Sequence, residues 1–360
     1  MAFYAADPCT GYHPPVIGLL LAASVLPGPQ GASPLAIAAD HHVHILGPGL
    51  LRDWKSLGVA FSRPDAAYLS PAAVLDGENA VGQALLVPMA HLYGNAEMRE
   101  GLRLSAADER AAVRAENDYV AAQAMRWPGR AIAFCAVDWR RPYAWDELRR
   151  CREELKSPGI KLHLASAGTD LRDAAQRAEL RRIAGWAEQQ RLAVLLHLDP
   201  QRRGLQVADV ERFFDEVLGP HRDLEVTVAH LGGSGGYGRW TRAVLRASTS
   251  WLEGERAAGR ERSGVRFDVS ATLIEKESEG VPPTTPKEAR ALGDDLRRLG
   301  LGRVLFASDY PVFAPRRLAE LFTERTGLTP VELGQILSNR APVLVRAETR
   351  ARARRRQLGG

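Results

Sequence analysis

From residue 36 onward, short apolar runs alternate with longer amphipathic ones. The apolar runs at 36–45, 82–91, 131–138, 159–165, 192–198, 224–230, 265–271 and 303–309 are rich in branched residues and mostly lack strict two-residue alternation. Strands buried on both faces read this way, which favours a parallel sheet. Between them lie helical patterns. Leu180, Ile183, Ala184 and Ala187 recur at i, i+3, i+4 and i+7, with arginines and glutamates on the opposite face. Similar patterns occupy 106–127, 142–156, 207–217, 238–257 and 284–299, and Thr329 with Glu332 has capping-box spacing before a helix at 330–338. Eight strands separated by helices predict an α/β fold, a (β/α)8 TIM barrel over residues 36–345. An N-terminal extension (1–35) and a short basic C-terminal tail (346–360) would flank it.

Composition is that of a globular chain, 45% hydrophobic and 25% charged over 360 residues. The net charge of +5 is accounted for by the last fifteen residues, where six arginines face one glutamate. No aromatic residues are interleaved with them, so a solvated terminal helix is expected rather than a nucleic-acid site. Cys9, Cys135 and Cys151 are odd in number and lack CxxC spacing, so neither a disulfide framework nor a thiolate metal site is expected, and Cys135 reads as a core residue. The apolar run 16–26 is too short to span a bilayer, which takes ~20 residues. It suits a signal-peptide core, and Ala36-Ile37-Ala38 offers a cleavage pattern. Residues 1–15, however, hold no lysine or arginine and do hold Asp7. Cytoplasmic and exported locations both stay open.

The candidate chemistry sits at the ends of the strands. Asp40, His42 and His44 end the first, Lys161 and His163 lie in the fourth, His197 ends the fifth, His230 the sixth and Asp309 the eighth, while His91 follows the second. Barrel enzymes build their sites where the C-terminal strand ends converge. A lone histidine after an apolar run is ordinarily a packed residue, but several in equivalent positions point to one shared site. Residues two apart in a strand project to one face, so His42 and His44 can approach a single ion. Imidazoles with a carboxylate suit Zn2+, or Mn2+ or Fe2+.

Asp40-x-His42-x-His44, Gly159-Ile160-Lys161-Leu162-His163, His197, His230-Leu231-Gly232-Gly233 and Ser308-Asp309-Tyr310-Pro311 together resemble the amidohydrolase superfamily. The resemblance is to its amidohydrolase family 2 branch, which includes the aminocarboxymuconate-semialdehyde decarboxylase-like enzymes, and it covers about residues 38–345. It implies His42, His44, His197 and Asp309 as ligands of one divalent metal ion. It also implies His230, with Asp309, as the acid/base group. Other superfamily members bridge two metals with a carboxylated lysine on the fourth strand. In this branch a single ion is the expectation, and Lys161 and His163, sharing a strand face, would then reach substrate. The loop 89–104 offers His91 as a possible substrate-binding residue, together with Tyr93 and Arg99.

The reading preferred on sequence is a hydrolase in which metal-activated water attacks an amide, ester or lactone carbonyl of a small molecule. The alternative is a metal-dependent decarboxylase of an unsaturated or aromatic carboxylic acid. From another class comes an inactive barrel that binds metal or ligand. Preference goes to hydrolysis because no arginine can be placed beside the metal to hold a carboxylate. No nucleic-acid partner and no membrane span are expected, and a homodimer is the default oligomer.

Overall fold

The computed structural model describes residues 35–77, 80–199, 204–277 and 281–358. The apolar run at 16–26 lies outside them. Nine short strands carry the fold: β1 (Ala39–Val43), β2 (Gln83–Leu86), β3 (Ala131–Ala133), β4 (Cys135–Ala136), β5 (Gly159–His163), β6 (Ala193–His197), β7 (Val226–Val228), β8 (Val265–Asp268) and β9 (Val304–Leu305). All neighbours pair parallel, β1 with β2 and β2 with β3, then β4 through β9 in order. β3 and β4 form the third barrel strand, expected as one run and interrupted at Phe134. That residue still donates its N–H to Leu86 O at 2.9 Å. The Phe134 ring lies so close to β5 that a Cβ on Gly159 would stand 2.3 Å from it, so only glycine fits there. Between β9 and β1 the ladder continues through His41 N to Phe306 O (3.1 Å), His44 N to Tyr310 O (2.8 Å) and a parallel bridge between Val43 and Tyr310. The strands therefore run round a ring, the (β/α)8 barrel.

Alternation along each strand divides the apolar residues. Ala84, Leu86, Val194, Leu196, Val226 and Val228 pack against the surrounding helices in the main core. Ala39, Leu85, Ile132, Phe134, Ala193, Leu195 and Leu305 form a separate cluster with Ala341, Val343 and Leu344. Ala341 immediately precedes the helix Pro342–Leu358, and Val343 and Leu344 lie in its first turn. This helix lies at the N-terminal ends of the strands: Gln83 Nε2 donates to Leu344 O, Arg355 Nη2 to Pro128 O, and Arg346 pairs with Glu225. The arginine-rich segment thus sits on the barrel's far end from the histidines. His41 turns away from them too, its Nε2 accepting from Ala341 N at 3.0 Å.

The surrounding helices begin where side chains satisfy their first N–H groups. Ser105 caps Ala106–Met125, and Thr285 and Thr329 make capping boxes with Glu288 and Glu332. One expectation is overturned. Cys135 and Cys151 form a disulfide, 16 residues apart in sequence with a Cα–Cα distance of 6.2 Å. Cys135 is indeed buried in the core, but the helix Ala144–Glu153 folds back beside β4 and brings Cys151 to it. Counting and spacing rules miss such a pairing because packing of a helix on a strand creates it. Among the described residues, no helix is long and apolar enough to cross a membrane.

Candidate metal centre

The mouth of the barrel is assembled by buried hydrogen bonds between strand ends. Asp40, fully buried, accepts from His42 N (3.2 Å) and Ser308 N (2.9 Å) through Oδ1 and from Ser308 Oγ (2.5 Å) through Oδ2. It thereby ties β1 to the loop that carries Asp309. Burial pushes the Asp40 carboxyl up to about 7 despite those bonds. Asp199, His230, Leu231, Ala271 and Asp309 all follow strands with positive φ, Asp309 at 57°. For residues other than glycine this left-handed region is unfavourable, and here the turns aim side chains back over the barrel.

Each of the first-strand imidazoles has its Nδ1 tied down. His42 Nδ1 lies 3.1 Å from Asp268 Oδ2, and His44 Nδ1 2.7 Å from the carbonyl oxygen of Val87. Since a carboxylate and a carbonyl only accept, each Nδ1 carries the proton and each Nε2 is left with a lone pair. Those Nε2 atoms converge on Asp309 Oδ1, His44 at 3.2 Å and His42 at 3.7 Å. Burial holds the His42 ring's protonation down to about 3, helped by the nearby Lys161 charge. Burial opposes ionisation of Asp309, but positive charge shared with His42 and His44, from a ring proton or a cation, outweighs it and holds the carboxyl well below the usual range.

His42, His44 and Asp309 offer ligand atoms within 4.8 Å of one another; His197 is not in that group. It stands across the mouth on β6, paired in register with His163 and stacked on its ring at 3.8 Å between centroids. Its Nε2 is buried and has no hydrogen-bond partner among the described residues. Burial, then the neighbouring His163 and His230, hold its protonation well below the ordinary histidine value. Two oriented imidazoles, an ionised carboxylate and an orphaned imidazole nitrogen make a donor set that fits a divalent ion.

Around that set the walls are nitrogen donors. Lys161 Nζ, fully buried, lies 3.2 Å from His42 Nε2, and burial brings its ammonium down to about 8 against the pull of Asp268 and Asp309. His163 Nδ1 accepts from Ser166 N at 3.2 Å, so its ring proton sits on Nε2. That tautomer suits hydrogen bonding to a ligand better than holding a metal. His91 packs on His163 with ring centroids 5.0 Å apart, and among the described residues both its buried nitrogens lack a hydrogen-bond partner. From the same loop, Tyr93 donates to Asp53 and Arg99 faces Glu109, so only His91 reaches the mouth.

His230 lies between the rings of His42 (5.0 Å) and His197 (4.6 Å). The sequence reading passed over its partners, Asp268 and Ser270 at the end of β8. Asp268 joins His42 and His230 in a second group of potential ligands. Its burial is outweighed by His42, His230 and Ser270, which hold its carboxyl far below the usual range. The signal was present: Asp268 and Ser270 are two apart at a strand end, the same spacing as His42 and His44.

The amidohydrolase family model matches residues 40–339. Among solved structures, the chain is similar to a 2,6-dihydroxybenzoate decarboxylase complexed with 2,6-dihydroxybenzoate, at 14% identity over 87% of this chain and 99% of that one (TM-score 0.55). It is similar to 5-carboxyvanillate decarboxylase from Sphingomonas paucimobilis, at 14% identity over 88% and 99% (TM-score 0.53). It is also similar to dihydroxybenzoic acid decarboxylase from Polaromonas sp. JS666 with bound manganese and the inhibitor 2-nitroresorcinol, at 16% identity over 87% and 97% (TM-score 0.54). No curated protein sequence matches the chain.

Proposed function

The chain belongs to the amidohydrolase family, and on that premise we propose that it is a metal-dependent decarboxylase of an aromatic or unsaturated carboxylic acid. The observation that carries this reading is the buried Lys161 ammonium, 3.2 Å from His42 Nε2. Sequence reasoning had turned toward hydrolysis for want of an arginine; this lysine takes that place. Among the described residues, Asp309 is the carboxylate that faces the His42 and His44 Nε2 atoms, while Asp268 binds His42 Nδ1, His230 N and Ser270. A divalent ion beside Lys161 would place two cations at the mouth for an anionic substrate to bind, with Asp268 and Asp199 offsetting part of that charge. Likeness to three decarboxylases supports the same choice.

In this reading His42, His44, His197 and Asp309 hold one ion, zinc or manganese, which supplies Lewis-acid polarisation of substrate oxygens. Lys161 and the Nε2–H of His163 bind the carboxylate and adjoining oxygens, and His91 closes the pocket beside them. His230, after taking up a solvent proton at Nε2, delivers that proton to the carbon that bears the carboxylate and returns to the neutral ring. As that C–H bond forms, the bond to the carboxyl carbon breaks, its electrons return to the substrate framework and CO2 departs.

Hydrolysis stays as the second reading because one observation favours it: His230 has its Nδ1 beside a carbonyl oxygen, Ser270 O at 3.1 Å, which leaves Nε2 able to take a proton from water. A panel of hydroxybenzoates and 5-carboxyvanillate, run beside a panel of small lactones and esters with CO2 detection, separates the two. CO2 release from an aromatic acid without lactone opening is expected; lactone opening without CO2 release overturns the proposal.

A further inference from the structure

Asp268 touches both the metal-facing and the proton-transferring sides of the mouth. Its Oδ2 takes His42 Nδ1 at 3.1 Å. Oδ1 accepts from His230 N at 2.9 Å, from Ser270 N at 3.1 Å and from the hydroxyl of Ser270. Every one of these partners can donate, so Asp268 is present as the carboxylate, and it is wholly buried. With its single proton given to Asp268, the Ser270 hydroxyl can only accept from its other neighbours, His230 Nδ1 at 2.9 Å and, at the longer distance of 3.4 Å, His42 Nδ1. His230 Nδ1 also lies 3.1 Å from the carbonyl oxygen of Ser270, which has no proton to give. Two acceptors therefore face one ring nitrogen.

We infer that Ser270 and Asp268 are positioning residues which hold His230 with its proton on Nδ1 and present Nε2, on the opposite side of the ring, as the atom that exchanges protons with substrate. One carboxylate thus sets the orientation of two histidines with different tasks. Oδ2 fixes the ring of His42 for a metal, and Oδ1, through the Ser270 hydroxyl, fixes the ring of His230 for proton transfer. Without Ser270 the imidazole keeps a backbone acceptor but loses its link to the Asp268 charge, which favours a ring that is taking up a proton. Both decarboxylation and hydrolysis can use this device, so it does not stand or fall with the reaction proposed above.

The first test needs no substrate. In the full chain carrying 15N-labelled histidine, with the His230 signals assigned from a His230→Gln variant, long-range 15N–1H correlation distinguishes a protonated ring nitrogen from a bare one. The expected spectrum has hydrogen on Nδ1 and a bare Nε2; hydrogen on Nε2 overturns the inference. The second test reads turnover of whichever panel compound the wild type converts. Ser270→Ala should lower kcat about 10–100-fold, the usual effect of losing such an orienting partner, with KM and metal content nearly unchanged. Ser270→Thr, which keeps the hydroxyl, should recover most of that loss. An unchanged kcat in Ser270→Ala, or equal losses in the alanine and threonine variants, contradicts a positioning role.

Discussion

His91 shows at the scale of one residue how an energetic cost points to a task. A neutral imidazole always carries one N–H, and leaving a buried donor without a partner costs about 1–3 kcal/mol. His91 is 1% exposed and neither nitrogen is satisfied among the described residues, which makes it a costly choice for that position unless a ligand meets it. A substrate oxygen seated between it and Lys161 removes the cost. His91→Leu should therefore keep or raise the melting temperature while KM rises about tenfold and kcat changes little. A lower melting temperature with KM unchanged would make His91 a packing residue. No spacing rule distinguishes such a histidine from a satisfied one, because the difference lies in which groups the fold places around it. His42, His44, His197, His230 and Asp309 were legible because each stands at a strand end. Asp268 carries the same strand-end signal, but its bond to His42, between residues 226 positions apart, is set by the fold and not by any spacing.

Among the elements, the helix Ala106–Met125 does more than cover the barrel. Its Glu116, buried, accepts from Gly47 N at 2.8 Å through Oε2, gripping the loop that leaves β1 just beyond His44. Burial pushes this carboxyl up from 4.5 to about 8, with the backbone N–H groups of Gly47 and Met89 pulling the other way. A folded-state value above the unfolded one means the folded chain binds the proton more tightly. Its stabilising contribution is complete below pH 4.5 and is lost as pH rises through about 8, by at most ~1.4 kcal/mol per pH unit. Glu116→Gln should flatten denaturant-midpoint stability between pH 5 and 8 and exceed the wild type at pH 8. Equal slopes in the two proteins would contradict this assignment. Helices of this kind were legible in the sequence, down to the Thr329 capping box. The break of the third strand at Phe134 and the Cys135–Cys151 bond were not, because both arise where one element packs on another.

Taken whole, the molecule is a ring with a seam. Between β9 and β1 the ladder is short, and the groups that flank it at the mouth are His42, His44 and Asp309. His197 stands on β6, three strands round from that seam. An ion held by all four braces the seam and spans the mouth, so binding it links function to stability. The ring itself followed from eight apolar runs separated by helical patterns, whereas the way Asp40 and Ser308 bind the seam together did not, since it depends on contacts 268 residues apart. The central claim is one ion per chain at this mouth, with His197 among its ligands. It is tested most directly by elemental analysis of the metal-loaded wild type and His197→Ala, alongside intact mass and turnover. One equivalent in the wild type is expected, and in His197→Ala a fall well below that, with turnover lost. Two equivalents together with a Lys161 adduct of the mass of CO2, or a stoichiometric and fully active His197→Ala, would contradict it.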